Sequence, residues 1–147
     1  MKIESLGHLV LKVRDIDRSV HFYTHVLGFR EVGRTPSGAM VFFSLADNHH
    51  DLGIQRVEPG GPDPLPSTPG LAHVAWKLGT DLELPKTARQ HLESHGVKVR
   101  AMMDHVVTKS LYFSDPDGNP LEVFVESDPS VWRSNPGVVA SGRPLEI

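Results

Sequence analysis

The sequence predicts an α+β protein built from two tandem βαβββ modules, whose sheets pair into a half-open barrel around a cleft. Three observations carry this. The order strand, helix, strand, strand, strand is legible twice, in residues 3–57 and again in residues 71–126. A histidine holds the same place in the opening strand of each copy, in Gly7-His8-Leu9-Val10 and in Ala72-His73-Val74-Ala75. Between the copies, residues 58–70 hold five prolines and three glycines. Proline lacks the ladder donor and glycine weakens regular structure, so this stretch reads as a linker.

Each element has its own reason. Gly7 to Val13 is expected to be a strand, with His8, Val10 and Lys12 on one face and Leu9, Leu11 and Val13 on the other. Asp15 can cap the helix that follows, and Ile16, Val20, Tyr23 and Leu27 recur at helical spacing before Gly28 ends it. Strands are expected at 29–34, 39–45 and 50–57, with turns at Thr35-Pro36-Ser37-Gly38 and Asp47-Asn48. In the second copy, 71–78 is a strand, and Leu84, Ala88, Leu92 and His95 mark a helix closed by Gly96. Strands at 97–102, 110–114 and 121–125 complete the unit, the last two joined by the turn Asp115-Pro116-Asp117-Gly118-Asn119. Residues 127–147 are rich in Ser, Pro and Gly, with Trp132 as their one large anchor, and read as a tail packed on the body or on a partner. The whole chain, 1–147, is expected to be one domain.

Composition removes several classes of function. The chain has 147 residues, enough to bury about two thirds of its surface without covalent staples. It has no cysteine, which excludes disulfides, thiolate metal sites and a cysteine nucleophile. The net charge is −3 and the 15 basic residues are scattered, so no nucleic-acid footprint is present. No apolar run reaches membrane-spanning length and the N-terminus has no signal-like stretch, so a cytoplasmic protein is expected, with no membrane partner. The unusual number is nine histidines.

The paired units and their matched histidines resemble the vicinal-oxygen-chelate superfamily over about residues 3 to 126. That group includes glyoxalase I, fosfomycin-resistance transferases, methylmalonyl-CoA epimerase, bleomycin-sequestering proteins and extradiol ring-cleaving dioxygenases. The resemblance implies metal ligands on the first and last strands of the units, and those positions hold His8, His73 and Glu122. The residue chemistry points the same way. Two imidazoles and one carboxylate form a facial triad with open positions, a set suited to Fe(II), with Mn(II) or Zn(II) as alternatives.

The run from His105 to Glu122, with Leu111-Tyr112 and Asp115-Pro116-Asp117-Gly118 inside it, resembles the extradiol dioxygenase signature. Met103 departs from it, standing where a small or β-branched residue is usual. His50-Asp51-Leu52-Gly53-Ile54 is a second local match, and strand alternation would turn His50 inward and His49 away. The resemblance implies an Fe(II)-dependent dioxygenase that opens a catechol-type diol with O2. His50 would be its acid/base, His105 would hydrogen-bond the substrate oxygen and Tyr112 would orient the same group. Phe43, Val74, Trp76 and Phe124 are candidate linings for the ring. The alternatives on the same scaffold are a metal-dependent glyoxalase or fosfomycin-transferase-like enzyme and a small-molecule binding or resistance protein. The face of His50, Leu52 and Ile54 carries no carboxylate for a four-ligand glyoxalase shell. Fosfomycin transferases need a basic anion site and give His105 and Tyr112 no role. A homodimer or higher homo-oligomer is expected.

Overall fold

The computed structural model describes residues 1–58, 60, 62–63 and 67–147. The chain divides into two units, Met1–Asp63 and Pro64–Ile147. Parts of the expected linker, residues 59, 61 and 64–66, lie outside the described residues.

In the first unit, alternation of apolar residues builds β1 (Leu9–Val13), β2 (Arg30–Arg34), β3 (Met40–Ser44) and β4 (Leu52–Arg56). The sheet order is β1-β4-β3-β2, and β1 runs parallel to β4. Leu11, Val13, Val41, Phe43, Leu52 and Ile54 form the core. The helix α1 (Ile16–His21) packs against β3 and β4. Asp15 caps it, its carboxylate accepting from the Arg18 N–H at 3.0 Å.

The helix departs from its expected periodicity. After His21 the chain widens into a π-helical turn over Phe22–Val26, closed by the Leu27 N–H on the Phe22 carbonyl at 3.1 Å. The buried residues are therefore Ile16, Ser19, Phe22, Tyr23 and Val26, while Val20 and Leu27 are only half-buried. Phe22 and Tyr23 both face inward in the wider turn.

The second unit repeats the plan. It holds β5 (Val74–Gly79), α2 (Leu84–Ser94), β6 (Ala101–Asp104), β7 (Thr108–Ser114) and β8 (Pro120–Glu126). Its sheet order is β5-β8-β7-β6, with a short β9 (Arg143–Pro144) beyond β6 and with β5 parallel to β8. The fold is thus α+β, with one open sheet per unit and neither closed into a barrel. On β8, Leu121, Val123 and Val125 are buried, as are Leu111 and Phe113 on β7. Helix α2 packs on these two strands, with Leu92 inward.

One expected strand shifts along the chain. The expected strand at 97–102 forms at 101–104, where the residues pair with β7. The β-branched Val97 and Val99 have no strand to pair with, and the Val97 N–H instead closes the end of α2 on the Leu92 carbonyl at 2.9 Å. The C-terminal segment also carries more structure than its composition implied. It forms α3 (Ser130–Ser134), a 3-10 turn (Pro136–Ala140) and a short β9 (Arg143–Pro144), which pairs with β6 through Met103↔Pro144 and Asp104↔Arg143. Among the described residues no helix is long and apolar enough to cross a membrane.

The turn into β8 sets where that strand begins. Gly118 takes φ +87°, and the buried Asp115 carboxylate accepts from the Asp117 N–H at 2.9 Å, the Asn119 N–H at 2.8 Å and Asn119 Nδ2 at 2.8 Å. Asp115→Ala strands these donors and should cost about 2–3 kcal/mol. A fall in the urea midpoint at unchanged slope would register it.

Candidate active site

Strand alternation decides which side chains can share a surface. In the second unit, Glu122 pairs across the ladders with Ala75 on β5 and with Tyr112 on β7. It therefore lies on the face opposite Leu121 and Val123. His73 sits just ahead of β5, two residues before Ala75, and so continues the same face. Its Nε2 lies 3.0 Å from Glu122 Oε2. The carboxylate side chain is 8% exposed and the imidazole 42% exposed. A buried carboxylate thus has one partly open imidazole beside it. Lower on this face, Lys77 pairs with Glu126.

Tyr112 stands at the centre of the group. Its ring meets His73 edge-on, with centroids 5.6 Å apart and planes at 85°. Its hydroxyl lies 3.0 Å from His105 Nε2. Burial first, then the charge of the Glu122 carboxylate and a hydrogen bond to it, push the tyrosine above its ordinary pKa. His105 is held at its other nitrogen too, with Nδ1 3.0 Å from the Ser141 carbonyl oxygen.

His105 opens the turn between β6 and β7, and that turn is strained. Val106 has φ +70°, and the Val107 N–H donates back to the His105 carbonyl at 2.8 Å, a three-residue turn. A β-branched residue rarely takes such a φ. The Asp104 carboxylate accepts from the Val106 N–H at 2.8 Å and pairs with Arg143. These contacts, the Val106 N–H first, hold the Asp104 carboxyl below its ordinary pKa.

In the first unit His8 also lies just ahead of its strand. The expected strand began at Gly7, but β1 starts at Leu9, where the Leu9 N–H finds the Asp51 carbonyl at 3.0 Å. The His8 ring is 4.4 Å from that of His50, and His50 is edge-on to Phe42 at 5.2 Å. His50 precedes β4 and lies in the turn, so alternation does not set its direction. Nor do His49 and His50 part: their Nδ1 atoms are 2.6 Å apart. Partial burial lowers the His50 pKa, and His8 and His49 lower it further, while Asp51 opposes them. Asp51 is the anchor of this turn. Its carboxylate accepts from the Leu45 N–H at 2.7 Å and from Asn48 Nδ2 at 3.0 Å. Of the residues suggested as linings, Phe43 is fully buried against Tyr23, whereas Val74, Trp76 and Phe124 are half-buried.

The registers make the two units comparable position by position. Val10 and Phe42 flank Gly53 as Ala75 and Tyr112 flank Glu122. Gly53 thus holds in the first sheet the place that Glu122 holds in the second. A Cβ there would come within 3.3 Å of Val10 Cγ2 and 3.5 Å of Phe42 Cδ1, so that place is already filled by neighbours.

Residues 5–123 match the Glyoxalase/Bleomycin resistance protein/Dioxygenase superfamily. The chain belongs to this superfamily. Among relatives, it is 35% identical over 123 residues to "Biphenyl-2,3-diol 1,2-dioxygenase 3" of Rhodococcus globerulus, covering 83% of this chain and 63% of that protein. It is 34% identical over 129 residues to "Catechol-2,3-dioxygenase" of Bacillus subtilis (strain 168), covering 87% of this chain and 44% of that protein. The chain therefore spans about half to two thirds of the length of these relatives. A glyoxylase/bleomycin resistance protein/dioxygenase domain from Frankia sp. EAN1pec shares the fold at a TM-score of 0.73, with 21% identity over 87% of this chain and 96% of that one.

Members of this superfamily include metalloenzymes, and the donors here fit a divalent ion. His73 and Glu122 offer an imidazole nitrogen and a carboxylate oxygen on neighbouring strands, and both atom types bind first-row metals. Among the described residues, no three His, Asp or Glu side chains stand grouped as a ready-made site. His8 offers a further imidazole at the corresponding place of the first unit. Sequence reasoning missed three contributors: Phe42 beside His50, Gly53 at the Glu122 position, and the Ser141 carbonyl on His105. The first two become visible once the registers are known. The last is a backbone group, which no residue type announces.

Two predictions follow from the turns. The folded Asp51 carboxyl lies below its ordinary pKa, the Leu45 N–H contributing most. Its stabilisation is therefore complete above the unfolded value of about 4 and is lost as pH falls through the folded value. The stability gap between wild type and Asp51→Asn should be flat from about pH 5 upward and close in acid, as read by urea melts across pH. At Val106, glycine removes strain of about 1–3 kcal/mol against an entropic cost of about 0.5–1 kcal/mol. Val106→Gly should therefore raise the melting temperature.

Proposed function

We propose that this chain is an Fe(II)-dependent extradiol dioxygenase, opening a catechol-type aromatic diol with O2. The observation that carries the reading is the placement of the Tyr112 hydroxyl. It contacts His105 at 3.0 Å, while its ring lies edge-on to His73, itself 3.0 Å from Glu122. A pair able to hold a substrate oxygen thus adjoins a pair able to hold a metal. The two relatives whose names describe diol dioxygenases, at 35% and 34% identity, support the same class.

In this reading His8, His73 and Glu122 hold the ion, with Mn(II) or Zn(II) as alternatives to iron. When bound, the ion supplies Lewis-acid charge and a path for electrons between diol and O2. The protein supplies proton handling. A lowered pKa leaves His50 neutral near pH 7, ready to accept a diol hydroxyl proton, and makes its imidazolium a ready donor later. His105 and Tyr112 hold the substrate oxygen in place. Phe42, beside His50, offers an apolar wall. A glyoxalase-like shell with a fourth, acidic ligand is disfavoured, because Gly53 stands where the first sheet would supply it.

Protein purified without oxygen, loaded with Fe(II) and given catechol or 3-methylcatechol should take up O2 on admission of air and form a yellow ring-fission product. His50→Phe should keep its iron and lose about 10²- to 10⁴-fold in turnover. His8→Ala should lose iron, as read by metal analysis. Iron-loaded protein that consumes no O2 with a broad panel of diols would overturn the reading in favour of a binding protein or a non-oxidative enzyme.

A further inference from the structure

The C-terminal segment is not needed to complete either βαβββ unit, yet it reaches His105 in two ways. The Ser141 carbonyl oxygen is 3.0 Å from His105 Nδ1. Gly142 lies close to the same ring: a Cβ there would fall 3.0 Å from Nδ1, 3.3 Å from Cε1 and 3.6 Å from Met103 Cε. The next residue is fastened. Arg143 pairs with Asp104 in the β6–β9 ladder, and its guanidinium bonds the Asp104 carboxylate at 3.1 Å. That same carboxylate holds the strained turn beside His105 through the Val106 N–H at 2.8 Å.

We propose that residues 141–143 are a positioning strap for His105, fixing both the plane of its ring and the nitrogen that carries its proton. The inference deepens the dioxygenase reading and rests on it for its catalytic consequence. A carbonyl oxygen can only accept, so the contact with Ser141 requires a hydrogen on Nδ1. A neutral imidazole with its hydrogen on Nδ1 presents a bare lone pair at Nε2. At 3.0 Å from that lone pair stands the Tyr112 hydroxyl. The strap therefore dictates that His105 faces the substrate side as an acceptor. Without it, the ring is free to put the hydrogen on Nε2 and face the same side as a donor. Glycine at 142 follows from the fit, since any side chain begins inside the contact distance of the ring.

The test separates the strap from the chemistry. In the full-length chain, 15N-labelled and free of paramagnetic iron, long-range 1H–15N correlation spectra should give His105 the pattern of hydrogen on Nδ1 and bare Nε2. Gly142→Ala, which displaces the ring, should move that pattern toward hydrogen on Nε2, and Arg143→Ala, which frees the strap without touching the ring, should give a mixture of the two. Gly137→Ala, whose Cβ would meet only Asn135 Oδ1 at 3.6 Å, should change nothing. In the iron-loaded enzyme, Gly142→Ala should lower kcat at least about tenfold while iron content holds. A wild-type His105 with its hydrogen on Nε2 overturns the proposal, as does a pattern unmoved in both strap variants. The expected spectra together with a chain that cleaves no diol would leave the strap standing and remove the dioxygenase reading instead.

Discussion

Burying a carboxylate between two apolar neighbours is expensive unless something compensates it. Glu122 lies on β8 between Leu121 and Val123, with its side chain 8% exposed. The parallel ladder with β5 resolves this. By pairing Ala75 with Glu122, it brings His73 alongside, and the antiparallel ladder with β7 adds Tyr112 from the other flank. The register of three strands thus sets a phenol and, just ahead of β5, an imidazole beside one acid. The Asp115 turn, which places the first residue of β8, acts on the site through that register alone.

The two units have the same strand order and opposite chemistry at the corresponding point. Around Glu122 the sheet carries Tyr112 and His73; around Gly53 it carries Phe42 and, nearby, His8 with His50. A duplicated scaffold has been made asymmetric by a few side chains. One half offers negative charge and a hydroxyl. The other offers imidazoles against an apolar wall.

The order of elements was legible because each is announced locally: β-branched alternation for strands, Asp15 for a cap, Gly28 and Gly96 at positive φ for helix ends. What escaped depends on distant partners. Val97 and Val99 have strand propensity, but pairing with β7 decided that Ala101–Asp104 would be the strand. The widening of the first helix depends on where Phe22 and Tyr23 find space among the strands. At the site, the residue types were informative: His73, Glu122, Tyr112 and His105 stand in one contact group, and His8 and His50 in another. The direction of His50 was not legible, since it sits in a turn outside the strand ladder. Nor was the hold on His105, because its acceptor is a main-chain oxygen.

The ninth strand has a consequence beyond His105. A sheet edge presents unpaired main-chain donors and acceptors, and a protein must defend it. The outer strand of the first sheet, β2, does so with Arg30, Glu31 and Arg34 and a bulge between Glu31 and Gly33. The matching strand of the second sheet, β6, reads Ala-Met-Met-Asp and has only one charge to offer. Its protection is Arg143 and Pro144, laid along it, followed by the Leu145 N–H donating to the Met102 carbonyl at 3.0 Å. The residues that cover this edge thus directly follow the two that touch His105. One short segment therefore serves both the sheet edge and the ring beside it.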